Sequence, residues 1–249
     1  MTTNQDHLDK LVKDLFRLGD YSSWISPKMS ENIEWFTKNK KTFNSTAVAQ
    51  RLEELINLGA NVVDKAYLIA NVNAPEALKV ALENGANPNL KGKTGILPID
   101  RALYKGKTKI AELLINSNRF DFKTEEGNVL FLAINTGKYK LANDIILKKP
   151  ELIADNNKDG KSVLYTLSEY LSRGNKINSK VLTLTCSILN QAEIQNIDFT
   201  IAEIHNGKTL ANNSPEIATL VTERFAIKLD KNLPKKENDN ITIKKQIKL

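Results

Sequence analysis

One cysteine, Cys186, and two histidines, His7 and His205, are all that the 249 residues offer to thiol or imidazole chemistry. No internal disulfide can form, which agrees with a reducing compartment. A zinc site of three or four Cys and His ligands cannot be assembled from so few. A Cys–His nucleophile would have to pair Cys186 with His205. Cys186, however, lies in Leu184-Thr-Cys-Ser-Ile188, where a buried thiol without a nearby cation stays protonated. It is expected to pack inside a helix bundle, as free cysteine commonly does. The adjacent carboxylates Glu53-Glu54 and Glu125-Glu126 carry no mark of an acid/base couple. The expectation is a non-enzyme without metal or cofactor.

Long apolar runs are also missing. No stretch approaches the ~20 apolar residues needed to cross a bilayer. The opening Met1-Thr-Thr-Asn-Gln-Asp-His-Leu-Asp-Lys10 has no basic start and no apolar core, so it is not read as a secretory signal. A cytoplasmic chain is expected. Aromatics make up only 6% of residues, yet 41% are apolar, which suits helices packed through Leu, Ile and Ala.

A complete phosphate-binding loop is absent despite four partial matches. Gly-Lys-Ser/Thr occurs at Gly92, Gly106, Gly160 and Gly207. Wrapping a phosphate requires a further glycine five residues earlier, and those places hold Asn87, Arg101, Asp155 and Ala202. Recurrent turn glycines in a lysine-rich chain explain the four copies.

The net charge of +7 is unevenly spread. From Lys228 to Leu249, seven lysines against three acids leave +4, so the other 227 residues carry only +3. This stretch, residues 228–249, is read as a basic, flexible tail, too poor in apolar side chains to offset its ordering entropy.

What the chain does contain is repetition. Leu52-Glu-Glu-Leu-Ile-Asn-Leu-Gly-Ala-Asn61 and Leu78-Lys-Val-Ala-Leu-Glu-Asn-Gly-Ala-Asn87 each read as a helix end stopped by glycine. Gly95-Ile-Leu-Pro-Ile-Asp-Arg-Ala102 reads as a turn followed by a proline-opened helix, and Ile110-Ala-Glu-Leu-Leu-Ile115 as a second, apolar one. Related segments follow at Gly127 to Ala133, at Leu141 to Ile146, and from Asp159-Gly160 to Leu167. The turn glycines Gly95, Gly127 and Gly160 are 32 and 33 residues apart. A period of about 33 belongs to stacked helix pairs.

This order of turn, short helix, glycine loop, longer helix and Gly-Ala-Asn resembles the ankyrin repeat, over roughly residues 46–190. The copies are degenerate. Leu97-Pro98-Ile99-Asp100 stands where the family has Thr-Pro-Leu-His, and the unit around Val129 to Phe131 is one residue short. The family's Thr and His hydrogen bonds are thus largely missing, so hydrophobic stacking is expected to carry more of the stability. The first two Gly-Ala-Asn turns are only 26 residues apart, which predicts a clipped turn between Val62 and Ala66. In the fifth unit, Ser172 to Ser179 forms a longer loop before a helix over Val181–Leu189. A last helical unit is expected between Asp198 and Phe225.

Residues 1–45 are read as an N-terminal helical cap. Leu8, Leu11, Val12, Leu15 and Leu18 share one helical face, with Gly19 as the stop. A second helix begins after Ser30 and carries Ile33, Trp35 and Phe36. Tyr21, Trp24, Trp35, Phe36 and Phe43 either line a partner groove or seal the end of the stack, and the seal is favoured because terminal repeats are atypical.

The expected fold is therefore all-α: an ankyrin-like solenoid of about five units over 46–227, behind that cap. The resemblance implies that a protein partner binds the turn tips and the outward edge of each first helix, on the concave side. By position around each turn glycine these are Lys93, Thr94 and Ile96, with Tyr104 and Lys105. The next unit supplies Glu125, Glu126 and Asn128, with Asn135 and Thr136. The third supplies Lys158, Asp159 and Lys161, with Glu169 and Tyr170. Basic, acidic and basic tips alternate, which suits a protein more than a phosphate backbone. Nucleic acid or an anionic membrane, held through the tail from Lys228 to Lys248, is the alternative. A monomer is expected. The Asn-, Lys- and Ile-rich composition is similar to that of ankyrin proteins of intracellular bacteria or of viruses with AT-rich genomes. Some of those act in a host cell after specialised secretion that reads a flexible C-terminal tail.

Overall fold

The computed structural model describes residues 3–20, 45–71, 74–197 and 219–220. Its helices are α1 (Asn4–Asp20), α2 (Ser45–Asn57), α3 (Ala66–Asn71), α4 (Pro75–Glu83), α5 (Pro98–Tyr104) and α6 (Thr108–Asn116). They continue with α7 (Val129–Asn135), α8 (Tyr139–Lys148), α9 (Val163–Ser172) and α10 (Ser179–Ile194). A two-residue hairpin, β1 (Lys123–Thr124) with β2 (Gly127–Asn128), precedes α7, and a 3-10 turn over Pro150–Ala154 follows α8. The chain is mostly helical. The expected helix after Ser30, the aromatic cluster from Tyr21 to Phe43, the unit from Asp198 to Phe225 and the tail lie outside the described residues.

The repeated Gly-Ala-Asn closes helices in the way its residues require. Gly59 and Gly85 have φ of +92° and +104°, a backbone that side chains with a Cβ resist. Behind α2, the Gly59 amide donates to the Ile56 carbonyl and the Ala60 amide to that of Leu55, a Schellman closure. Gly85 and Ala86 repeat it behind α4. Asn61 and Asn87 then turn the chain, each side-chain oxygen accepting the amide two residues on at 2.9 Å. After Asn61 the chain reaches α3 through a short turn, which matches the expected clipping. Pro98 opens α5, also as expected, and α1 runs one residue past Gly19.

Successive helices alternate between two columns. α1, α3, α5, α7 and α9 pack each on the next, as do α2, α4, α6, α8 and α10. Each member of the first column also packs on the helix that follows it in sequence. Alanines at the crossings, among them Ala70, Ala77, Ala81, Ala102, Ala111, Ala133 and Ala142, are fully buried and permit close approach. One continuous core runs from Leu8 and Val12 to Ile188 and Ala192. In α7 every residue from Val129 to Ile134 is buried. A helix that short is marginal in water and owes its stability to this packing.

Polar links also join successive units, beside the continuous apolar core. The Arg119 guanidinium donates to the Leu82 and Ala86 carbonyls behind α4, at 3.3 and 3.2 Å. Lys148 donates to the Ile115 carbonyl at the end of α6, at 2.8 Å. Gln195 reaches the Pro150 carbonyl at 2.9 Å. Carbonyls at and just beyond helix C-termini attract such donors, and a cation there also suits the helix dipole. Lys65, nearly buried, joins Asp9 of α1 to Asp64 at 2.9 Å each.

Cys186 is exposed, against expectation. The buried face of α10 is Val181, Leu184, Thr185, Ile188, Leu189 and Ala192, and Cys186 falls off that stripe. No helix among the described residues is long and apolar enough to cross a membrane.

Candidate functional site

Three loops, one before each of α5, α7 and α9, project as tips. In the first, the Gly92 amide donates to the Ile96 carbonyl and the Gly95 amide to that of Gly92, both at 2.9 Å. In the third, Asn157 donates to Lys161 and Gly160 to Asn157, again at 2.9 Å. The middle tip is the β1–β2 hairpin, whose turn is Thr124-Glu125-Glu126-Gly127. The Tyr67 ring of α3 lies close enough to Gly92 that any Cβ there would collide with it. Its hydroxyl meets the Thr94 hydroxyl at 3.3 Å, which fixes the first tip on the unit before it.

Of the expected binding residues, Lys93, Thr94, Lys105, Glu125, Lys158 and Asp159 are exposed. Tyr104, at the end of α5, is 64% exposed. Ile96, Glu126, Asn135, Thr136, Lys161, Glu169 and Tyr170 are half-buried. Two of these do structural work instead. The Thr136 hydroxyl donates to the Leu132 carbonyl at 2.8 Å. The Tyr170 ring stands edge-on to Tyr139, with centroids 6.0 Å apart, and its hydroxyl sits over Gly137. Burial pushes the Tyr139 phenol up to about 12.

Asn128 must be removed from the binding set. It is 1% exposed and caps α7, its oxygen accepting the Leu130 amide at 2.9 Å. Its amide nitrogen donates to the Leu152 carbonyl at 3.1 Å and to Asp155 at 2.8 Å. The unit that is one residue short therefore brings an asparagine to the N-cap rather than to the tip.

The alternating charge of the tips is largely matched within the molecule. Lys91 meets Glu125 of the next tip at 2.8 Å, and Glu126 meets Lys158 of the one after at 2.8 Å. Lys161 meets Glu169 at 2.7 Å, with Arg173 on the other oxygen at 3.5 Å. The bond from Lys91 holds Glu125 below the usual carboxylate range, and the bonds to Glu125 and Glu126 raise Lys91 and Lys158. Exposed pairs of this kind contribute little to stability. Their effect is to leave little uncompensated charge on the tips.

Asp100, in the first turn of α5, breaks this pattern. It is 8% exposed, and its Oδ1 is buried without a hydrogen-bond partner. Burial pushes the carboxyl up to about 6, opposed by a bond from the Leu97 amide, while Glu125 raises it further and Lys91 lowers it. One turn on, burial followed by Glu126 and Asp100 raises the Tyr104 phenol. Sequence reasoning passed over Asp100 as a site residue. Counted from each helix start, its equivalents in α3, α7 and α9 are Leu68, Phe131 and Tyr165. An acid in that series was the available signal. Among the described residues, no group of three or more His, Cys, Asp or Glu side chains is arranged to hold a metal ion.

No family model matches this chain, and no curated protein matches it.

Proposed function

We propose that the chain is a non-catalytic, monomeric scaffold of the ankyrin type that binds a protein partner. The binding surface is the face made by the tips and by the exposed ends of the first-column helices. The observation that carries this reading is the two-column packing of helix pairs, with every tip on the same side of the chain path, before a first-column helix. Such stacks present extended surfaces assembled from side chains the core does not use. On this face Tyr104 is an exposed aromatic next to Lys105 and within electrostatic reach of Glu125, Glu126 and Lys158. Tyrosine anchors inside a polar surround are a common arrangement in protein interfaces.

The test is capture of a partner by the full chain and by a Tyr104→Ala, Lys105→Ala variant with unchanged helicity. Both side chains are exposed, so the fold should survive. The wild type should retain a protein that the variant loses; equal retention would remove this face from consideration.

A further inference from the structure

We propose that Asp100 and Tyr104 together seat a cationic side chain, an arginine in preference to a lysine, presented by the partner protein. This rests on the binding-face reading above and names the chemistry of what binds there.

The two residues are four apart on α5 and therefore neighbours on one helical surface. One carboxylate oxygen of Asp100 has the Leu97 amide, while Oδ1 has no donor at all. A buried acceptor left unpaired costs the fold its full desolvation, and more so when charged. Its counterparts in the same helix column are Leu68, Phe131 and Tyr165, so the column itself does not call for an acid. Buried ionisable groups that the fold does not use are candidates for binding roles.

The surroundings select the sign of the ligand. Lys91 is matched by Glu125, and Lys158 by Glu126. Beside these pairs, Asp100 Oδ1 is a buried acceptor that no donor among the described residues meets. Glu125 and Glu126 act on both Asp100 and Tyr104, against Lys91 at the first and Lys158 at the second. A metal ion would need a ligand cluster that the described residues do not supply. A guanidinium answers both halves of the site: its N–H groups donate to Oδ1 while its plane lies on the exposed Tyr104 ring. Lys91 and Glu125, both within electrostatic reach of Asp100, form an exposed ion pair of the weak class with which a guanidinium can compete.

The experiment titrates the full ¹⁵N-labelled chain with tri-arginine, tri-lysine and tri-glutamate peptides at constant ionic strength. Tri-arginine should give saturable shifts at the amides of residues 97–105, tri-lysine weaker ones, and tri-glutamate none. Asp100→Asn should weaken tri-arginine binding about tenfold, as loss of a charged hydrogen bond does. Tyr104→Leu should weaken it less. Shifts that map elsewhere, or an Asp100→Asn variant that binds as the wild type does, would overturn the inference. Should Asp100→Asn fail to fold, Tyr104→Leu decides, and unchanged affinity there overturns it too. Partner capture that depends on Tyr104 and Lys105, combined with indifference to tri-arginine, would leave the binding face standing and remove the cation seat.

Discussion

Asn89 grips the loop of the next helix pair by both of its amide atoms. Its Oδ1 accepts the Asp121 amide at 2.8 Å, and its Nδ2 donates to the Arg119 carbonyl at 2.6 Å. Gln5 does the same one end earlier, bonding both the amide and the carbonyl of Asn61 at 2.7 and 3.1 Å. Side-chain amides thus stitch units together where a sheet would use backbone. Asn89→Ala should lower stability by about 1–2 kcal/mol, since it removes two hydrogen bonds between units. The same change at exposed Asn118 should stay within about 0.5 kcal/mol. Urea midpoints at unchanged slope would measure both.

Asp100 should make stability rise as pH falls. Its folded pKa of about 6 lies above the ordinary aspartate value of 3.8. The fold therefore prefers the protonated form, and this contribution is complete below about 4 and lost as pH rises through 6. Asp100→Asn keeps an acceptor for the Leu97 amide and removes the charge. At pH 7.5 it should stabilise by about 1–3 kcal/mol, and near pH 4 by almost nothing. Denaturant titrations at the two pH values would show this; an equal difference at both would contradict it.

Ion pairs on this face should differ by burial. Lys161 and Glu169 are half-buried at 2.7 Å, whereas Lys91 and Glu125 are exposed. A double-mutant cycle with Lys161→Met and Glu169→Gln should give a larger coupling than one with Lys91→Met and Glu125→Gln. The second should fall within about 0–1 kcal/mol and shrink with added salt.

Gly92 should tolerate no side chain while Tyr67 is present. A Cβ would strike the Tyr67 ring, itself 6% exposed and unable to yield easily. Gly92→Ala should destabilise by about 1–3 kcal/mol, the usual range for overpacking. In a Tyr67→Ala background the same substitution should cost much less, and thermal melts of the four chains would complete the cycle.

The helices from α4 to α8 were legible because glycine and proline punctuate them at the spacing the chain needs, as Gly85, Pro98, Gly106 and Gly137 illustrate. The tips were legible as places, but not as partners of one another. Lys91 and Glu125 are 34 residues apart, and Glu126 and Lys158 are 32, about one repeat each. That spacing was the available sign that unlike charges would meet. Asn128 was misplaced because a one-residue shortening moves a tip residue into a cap. Cys186 was misplaced because local apolar company was weighed above the helical stripe of Val181, Leu184, Ile188 and Ala192. The polar stitching by Asn89, Arg119 and Lys148 depends on which carbonyls a neighbouring unit leaves open, which one unit's sequence does not reveal.

Where the partner touches is the question on which the functional reading turns. A photo-crosslinking residue placed at position 104 on the tip side, or at position 147 of α8, would answer it. Leu147 is 69% exposed, comparable to Tyr104, and belongs to the second column. Adducts with one protein species at position 104 and none at 147 are predicted. The same species captured at 147 and missed at 104 would contradict the binding-face reading.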